Sequence, residues 1–242
     1  MNQPFYKNMM IKLIYFDVDD TLYDQFLPFQ DAFKKVFPHF QIDIKEAYLY
    51  SRQYSDQVFE ATENGALTLE MMHRQRIQTA LAKFSLAITD DEADLFQRHY
   101  EENQRNIELD SSLMSLFDAL KASGIALGLI TNGPLEHQML KIHQLGLPNW
   151  VNVDNILISS AVGMAKPDIG LFDLARKELY TPEECLYVGD SFDNDVIGAK
   201  SAGWNVIWFN SRNKPHPPSQ YSPDYQVNKL DDLCRLLLDF IN

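Results

Sequence analysis

The chain has 242 residues, enough for one large domain or a core with a smaller insert. Its 21 basic and 34 acidic residues leave a net charge of −13 and show no Lys/Arg cluster, which argues against a nucleic acid polymer or an anionic membrane as partner. Apolar residues make up 45%, sufficient for a substantial core, and no apolar run approaches the ~18 residues of a membrane-spanning helix.

Residues 1–9 are polar, lack the apolar stretch of a signal peptide and read as dispensable, because a strand begins just after Met10. That strand, Ile11-Lys12-Leu13-Ile14-Tyr15-Phe16, is short and rich in branched and aromatic residues. It ends in Asp17-Val18-Asp19-Asp20-Thr21. A helical stretch follows. Phe29, Phe33, Val36 and Phe37 recur at helical spacing, as do Tyr50, Tyr54, Val58 and Ala61. Asn64-Gly65 breaks the pattern, and Leu67 to Phe84 and Asp90 to Ile107 predict two more helices, the last with an acidic first turn.

Strands and helices then alternate. A helix over Ser111 to Ser123 stops at Gly124. The strand Ile125 to Ile130 ends in Thr131-Asn132-Gly133, and a helix over Pro134 to Leu145 precedes a strand at Asn155 to Ser159. Ile169, Phe172, Ala175 and Leu179 predict a helix over Asp168 to Tyr180, and Thr181-Pro182-Glu183-Glu184 reads as a single capped helical turn. Strand 185–189, helix 193–202, strand Asn205 to Phe209, a Pro-rich loop over Ser211 to Pro223, a short strand Asp224 to Val227 and a helix Leu230 to Ile241 complete the series. This pattern predicts an α/β fold, a Rossmann-like doubly wound parallel sheet buried on both faces. Residues 11–26 and 108–242 form the expected core, with a four-helix insert over 27–107. Cys185 and Cys234 read as core residues with no disulfide or metal spacing, and His137 and His143 are six apart, the wrong spacing for a helical ligand pair; a reduced, cytoplasmic setting is expected.

The chemistry gathers at predicted strand ends, where open parallel sheets bind their ligands. Asp17 and Asp19 bring a nucleophile, a proton carrier and a potential cation site to one turn. Thr131-Asn132-Gly133 offers a hydroxyl and backbone N–H groups to an anion. Lys166 precedes Pro167 and is biased to extended geometry. Gly189-Asp190-Ser191-Phe192-Asp193-Asn194-Asp195 places Asp190 at a strand end and Asp195 five residues later, near a helix start. Each segment alone reads as an ordinary turn or a solvated charge; the four together, in this order, do not.

In that order the four segments resemble the haloacid dehalogenase superfamily of aspartate-nucleophile phosphohydrolases, over about Lys12 to Asn210. The insert matches the helical cap of the family's first cap class. The resemblance implies a Mg²⁺-dependent phosphatase. Asp17 would attack phosphorus, and Asp19 would protonate the leaving oxygen and then activate water. Asp17, Asp190 and the backbone carbonyl of Asp19 would hold Mg²⁺, with Asp195 one layer out, orienting Lys166. Lys166 and Thr131, with backbone N–H groups near Val18 and Asn132, would hold the phosphoryl oxygens.

Asp19 also separates this chain from dehalogenating members, which lack a carboxylate there and need no metal. The lysines Lys34, Lys35, Lys45 and Lys83, one of which a phosphonate-cleaving member would need, read as solvated. A phospho-receiver switch is disfavoured by the first-strand position of Asp17 and by the inserted helices; a non-catalytic binding homologue is disfavoured by four intact motifs. Asp17 to Asp24, and Glu63 to Thr68 with the following Arg74 and Arg76, resemble bacterial pyrimidine-type 5'-nucleotidases. A small phosphorylated metabolite is expected, a nucleoside monophosphate first and a sugar phosphate or phosphoglycolate as the alternative. Tyr50, Tyr54 and Phe59 read as packing residues of the insert rather than base-stacking ones.

Overall fold

The structure, a computed structural model, describes residues 10–241. The stretch 1–9, read as dispensable, lies outside the described residues. The chain divides into two compact units, one running through Tyr23 and resuming at Glu108, the other Asp24–Ile107.

The first unit is built on six parallel strands: β1 (Leu13–Phe16), β2 (Ala126–Thr131), β3 (Ile156–Ile158), β4 (Cys185–Gly189), β5 (Asn205–Phe209) and β6 (Tyr225–Val227), in the order β3-β2-β1-β4-β5-β6. Every residue of β1, β4 and β5 is buried. Such strands carry no polar/apolar alternation because both faces are covered, which is why they read as continuous apolar runs. β1 lies between β2 and β4, with Phe16 opposite Leu129 on one side and Val188 on the other. Strand order runs away from β1 in both directions, so the ends of β1 and β4 form a topological switch point.

Aromatic packing fixes the sheet against its helices. The Trp204 ring lies 5.8 Å from Tyr15 and 5.6 Å from Phe172, and all three are fully buried. Gly128 is paired with Tyr15 across β1 and β2. A Cβ at Gly128 would lie 2.3 Å from the Tyr15 ring, so only glycine fits.

The second unit holds α1 (Phe26–Val36), α2 (Ile44–Gln57), α3 (Phe59–Glu63), α4 (Leu69–Ala82) and α5 (Asp90–Gln104). Four are long; α3 is a single short turn. Its core gathers Phe29, Phe33, Phe37, Tyr48, Ile77, Leu81, Phe96 and Tyr100. Asp43 caps α2, Thr68 caps α4, and Thr89 with Glu92 forms a reciprocal capping box on α5. The helix read through Ala61 is interrupted at Val58, whose backbone leaves helical geometry (φ −104°, ψ 8°). Tyr50, Tyr54 and Phe59 are half-buried, and the core aromatic of α2 is Tyr48. Arg74 makes a bidentate pair with Asp94 at 2.7 and 2.8 Å. Arg76 is buried, donates to Gln97 Oε1 at 2.7 Å and lies over the Tyr100 ring.

The remaining helices of the first unit are α6 (Ser111–Ala122), α7 (Leu135–Gln144), α8 (Ser159–Val162), α9 (Ile169–Arg176), α10 (Ile197–Ser201) and α11 (Leu230–Asp239). The helix expected over 193–202 is a π-helical turn, Phe192–Val196, leading into α10. Cys185 and Cys234 are buried free thiols. Among the described residues, no helix is long and apolar enough to cross a membrane.

Candidate active site

β1 delivers Asp17 to the switch point. The Asp17 N–H donates to Val188 O at 2.9 Å, so the β1–β4 ladder continues one residue into the motif and fixes its direction. Asp17 is 7% exposed. The chain then turns sharply: Leu22 N–H returns to Val18 O at 3.0 Å, and Asp20 takes the left-handed conformation (φ 56°), which Asp tolerates better than most residues.

Lys166 is the hub. Its buried ammonium donates to Asp17 Oδ1 at 2.7 Å, Asp195 Oδ1 at 2.7 Å and the Tyr187 hydroxyl at 2.9 Å. Three acceptors use all three N–H bonds of the ammonium. Tyr187 passes its own hydrogen to Ile130 O at 2.9 Å. The Asn132 side chain clamps the Lys166 backbone, accepting from its N–H at 2.9 Å and donating to its carbonyl at 3.0 Å. Asp195, fully buried on the π-helical turn, accepts the Ser191 N–H at 2.8 Å with its other oxygen. A Cβ at Gly189 would lie 2.2 Å from that oxygen, so the close approach of β4 to Asp195 requires glycine.

Electrostatics follow from this crowding. Burial pushes the Asp17 carboxyl up to about 8; Lys166 opposes the rise, while Asp195, Asp190 and Asp19 add to it. Asp190 is pushed up to about 6 by burial, opposed by Lys214, whose Nζ is 3.0 Å from Asp190 Oδ2. Burial alone would lower Lys166, yet Asp17 and Asp195 hold it well above the usual lysine value. The cluster therefore holds more carboxylates than its one shared lysine neutralises. Asp17, Asp190 and Asp195 each bring a carboxylate oxygen within 4.8 Å of the others. Hard oxygen donors at this spacing, destabilised by one another, fit a divalent cation such as Mg²⁺.

The structure thus brings Asp17, Lys166, Asp190 and Asp195 together. The third side chain of the carboxylate cluster is Asp195; the Asp19 carboxylate is engaged elsewhere, by Lys141 at 2.7 and 2.8 Å. With its carboxylate so engaged, Asp19 is left its backbone carbonyl as a candidate ligand. Thr131 closes β2 and is buried, and Val18 is fully buried, leaving its backbone as its polar resource. Asn132, expected to offer a backbone N–H, also spends its side chain on Lys166.

Several residues at the site had no place in the sequence reading. Tyr187 was absorbed into a buried strand. Arg212, whose guanidinium meets the Asp20 carboxylate, and Lys214 lie in the Pro-rich loop, which carries no periodic signal. Gln138 and Lys141 gave no signal either: with Ile142 they occupy the buried face of α7, and two polar residues there hide that face from an apolar-spacing reading.

Residues 11–203 match the family model of haloacid dehalogenase-like hydrolases. The chain is 26% identical to pyrimidine 5'-nucleotidase YjjG of Escherichia coli, over 93% of this chain and 96% of that one. It is 29% identical to a glyceraldehyde 3-phosphate phosphatase of Methanothermobacter thermautotrophicus, over 84% and 87% of the two chains. The crystal structure of the HAD-hydrolase YfnB of Bacillus subtilis bound to magnesium shares the fold, with a TM-score of 0.70 at 23% identity over 94% of this chain and 98% of that one. With four fifths of its length inside the family match and the motif residues of that match meeting at one switch point, this chain belongs to the haloacid dehalogenase-like hydrolases.

Proposed function

We propose that the protein hydrolyses small phosphate monoesters through a phosphoryl group carried on Asp17, with a nucleoside monophosphate as substrate. The observation that carries the reading is the division of labour on one turn: Asp17 faces Lys166 and two more carboxylates, whereas Asp19, two residues on, is held by a different lysine.

Asp17 attacks phosphorus, and the alcohol oxygen leaves with a proton from Asp19. Lys166 balances charge on the nucleophile and the transferring oxygens, assisted by the Thr131 hydroxyl and backbone N–H groups near Val18 and Asn132. Asp195 holds Lys166 in place rather than meeting substrate. Water then attacks the phosphoryl group, Asp19 takes its proton, and Asp17 is released. Asp17, Asp190 and the Asp19 carbonyl would hold Mg²⁺, which when bound offsets negative charge on the phosphate and on the attacking carboxylate. The carboxylate cluster supports this, as does the description of YfnB as bound to magnesium.

The nucleoside monophosphate reading rests on the YjjG similarity, which runs along nearly both whole chains. A sugar phosphate is the second reading, favoured by the similarity to glyceraldehyde 3-phosphate phosphatase. The test is phosphate release from nucleoside monophosphates, sugar phosphates and phosphoglycolate, with and without Mg²⁺. Mg²⁺-dependent release concentrated on nucleoside monophosphates supports the proposal; concentration on sugar phosphates transfers it to the second reading; no release from any, by folded protein with Mg²⁺, defeats both.

A further inference from the structure

Lys141 on α7 is 1% exposed, and its ammonium bonds to both carboxylate oxygens of Asp19, at 2.7 and 2.8 Å. Gln138, one turn earlier and 3% exposed, donates from Nε2 to Asp19 Oδ2 at 3.1 Å and to Asn132 O at 2.9 Å. Tyr23 donates its hydroxyl to Asp19 Oδ1. A carboxylate on a turn has several rotamers open to it; donors on both oxygens and from two elements leave one. Burying an ammonium for this purpose is costly, and such a pair is often no more stabilising than a well-packed apolar pair in its place. The expense is intelligible if the orientation of Asp19 is what the lysine provides.

We propose that Lys141 is a positioning residue for the second half of the reaction, holding Asp19 in the orientation from which it takes a proton from water. The inference rests on the phosphohydrolase reading above. In that half, the water oxygen bonds to phosphorus and the bond from phosphorus to the Asp17 oxygen breaks. Its electron pair returns to the Asp17 carboxylate, the water proton passes to Asp19, and inorganic phosphate departs. The first half differs. A leaving group such as p-nitrophenolate departs without a proton, so its departure does not require an aligned Asp19.

The experiment is steady-state and stopped-flow kinetics on p-nitrophenyl phosphate with Mg²⁺. In Lys141→Met we expect kcat to fall ~10-fold or more while kcat/KM changes less than ~3-fold, because only kcat contains the hydrolysis half. KM falls with kcat, and a burst of p-nitrophenolate approaching one equivalent per chain precedes the slow steady state. Lys141→Gln, which keeps a hydrogen-bond donor, shows the same split to a smaller degree and is the variant to use if the Met substitution does not fold. Lys141→Arg, retaining the cation, recovers part of kcat. Parallel loss of kcat and kcat/KM without a burst, in whichever variant folds, overturns the proposal and makes Lys141 a structural residue. Failure of the parent reading looks different: Asp17→Asn that still turns over, or wild-type protein that releases no phosphate, defeats both together.

Discussion

Asp17 and Asp19 sit on the same turn and meet different cations, Lys166 and Lys141. The separation suits the different tasks proposed for these two carboxylates. Two predictions belong at this scale. Asp17→Asn lowers turnover by more than ~10³-fold, since no neighbour can replace a covalent nucleophile; phosphate release by a clean preparation is the check. Gly189→Ala leaves every carboxylate and lysine of the site unchanged yet lowers activity at least ~10-fold, because its Cβ would displace Asp195 and through it Lys166. Near-native turnover in that variant would show that Asp195 tolerates movement. Asp17 and Asp190 were legible in the sequence because each follows an apolar run at a strand end, whereas Lys166, eight residues beyond β3 with α8 between, and Asp195, on the π-helical turn, were legible only through the order of the four segments. Lys141 and Lys214 were not, since a lysine in a helix or loop reads as solvated until the fold supplies its carboxylate.

At the scale of elements, strands were the easier half. β4 and β5 begin and end where their apolar runs do, at 185–189 and 205–209. Helices differ at their ends, where apolar spacing gives no boundary: α9 stops at Arg176, short of the expected Tyr180, as Lys177 and Glu178 turn left-handed (φ 55° each). The π-helical turn at Phe192–Val196 was not readable, because one residue more per turn leaves no mark in a five-residue stretch. Gly128→Ala tests the aromatic packing of the sheet. With the Tyr15 ring 2.3 Å from the new carbon, we expect destabilisation of about 1–3 kcal/mol in denaturant unfolding. Thr89→Ala removes the capping box of α5 and costs about 1 kcal/mol by the same measurement.

For the whole molecule, cation binding and stability are linked. A ligand that binds only the folded chain raises the unfolding midpoint. We therefore expect Mg²⁺ to raise the thermal midpoint of wild-type protein and EDTA to reverse the shift while silencing phosphate release. In Asp190→Asn the shift shrinks together with activity. A wild-type midpoint and activity indifferent to both additions would count decisively against a resident cation.

The central place of β1 in the sheet has a consequence for biosynthesis. Its partners across the ladder are residues 126–129 and 185–188, more than a hundred positions downstream. During synthesis Leu-Ile-Tyr-Phe stays unpaired along one edge until β2 appears and along the other until β4 appears, about 9–35 s later at ordinary elongation rates. The helical insert, a compact unit whose residues are all made before β2, has that interval in which to fold. The segment that carries Asp17 is thus made long before the strands that seat it, and over that wait the nascent chain is most exposed to aggregation and most in need of a chaperone.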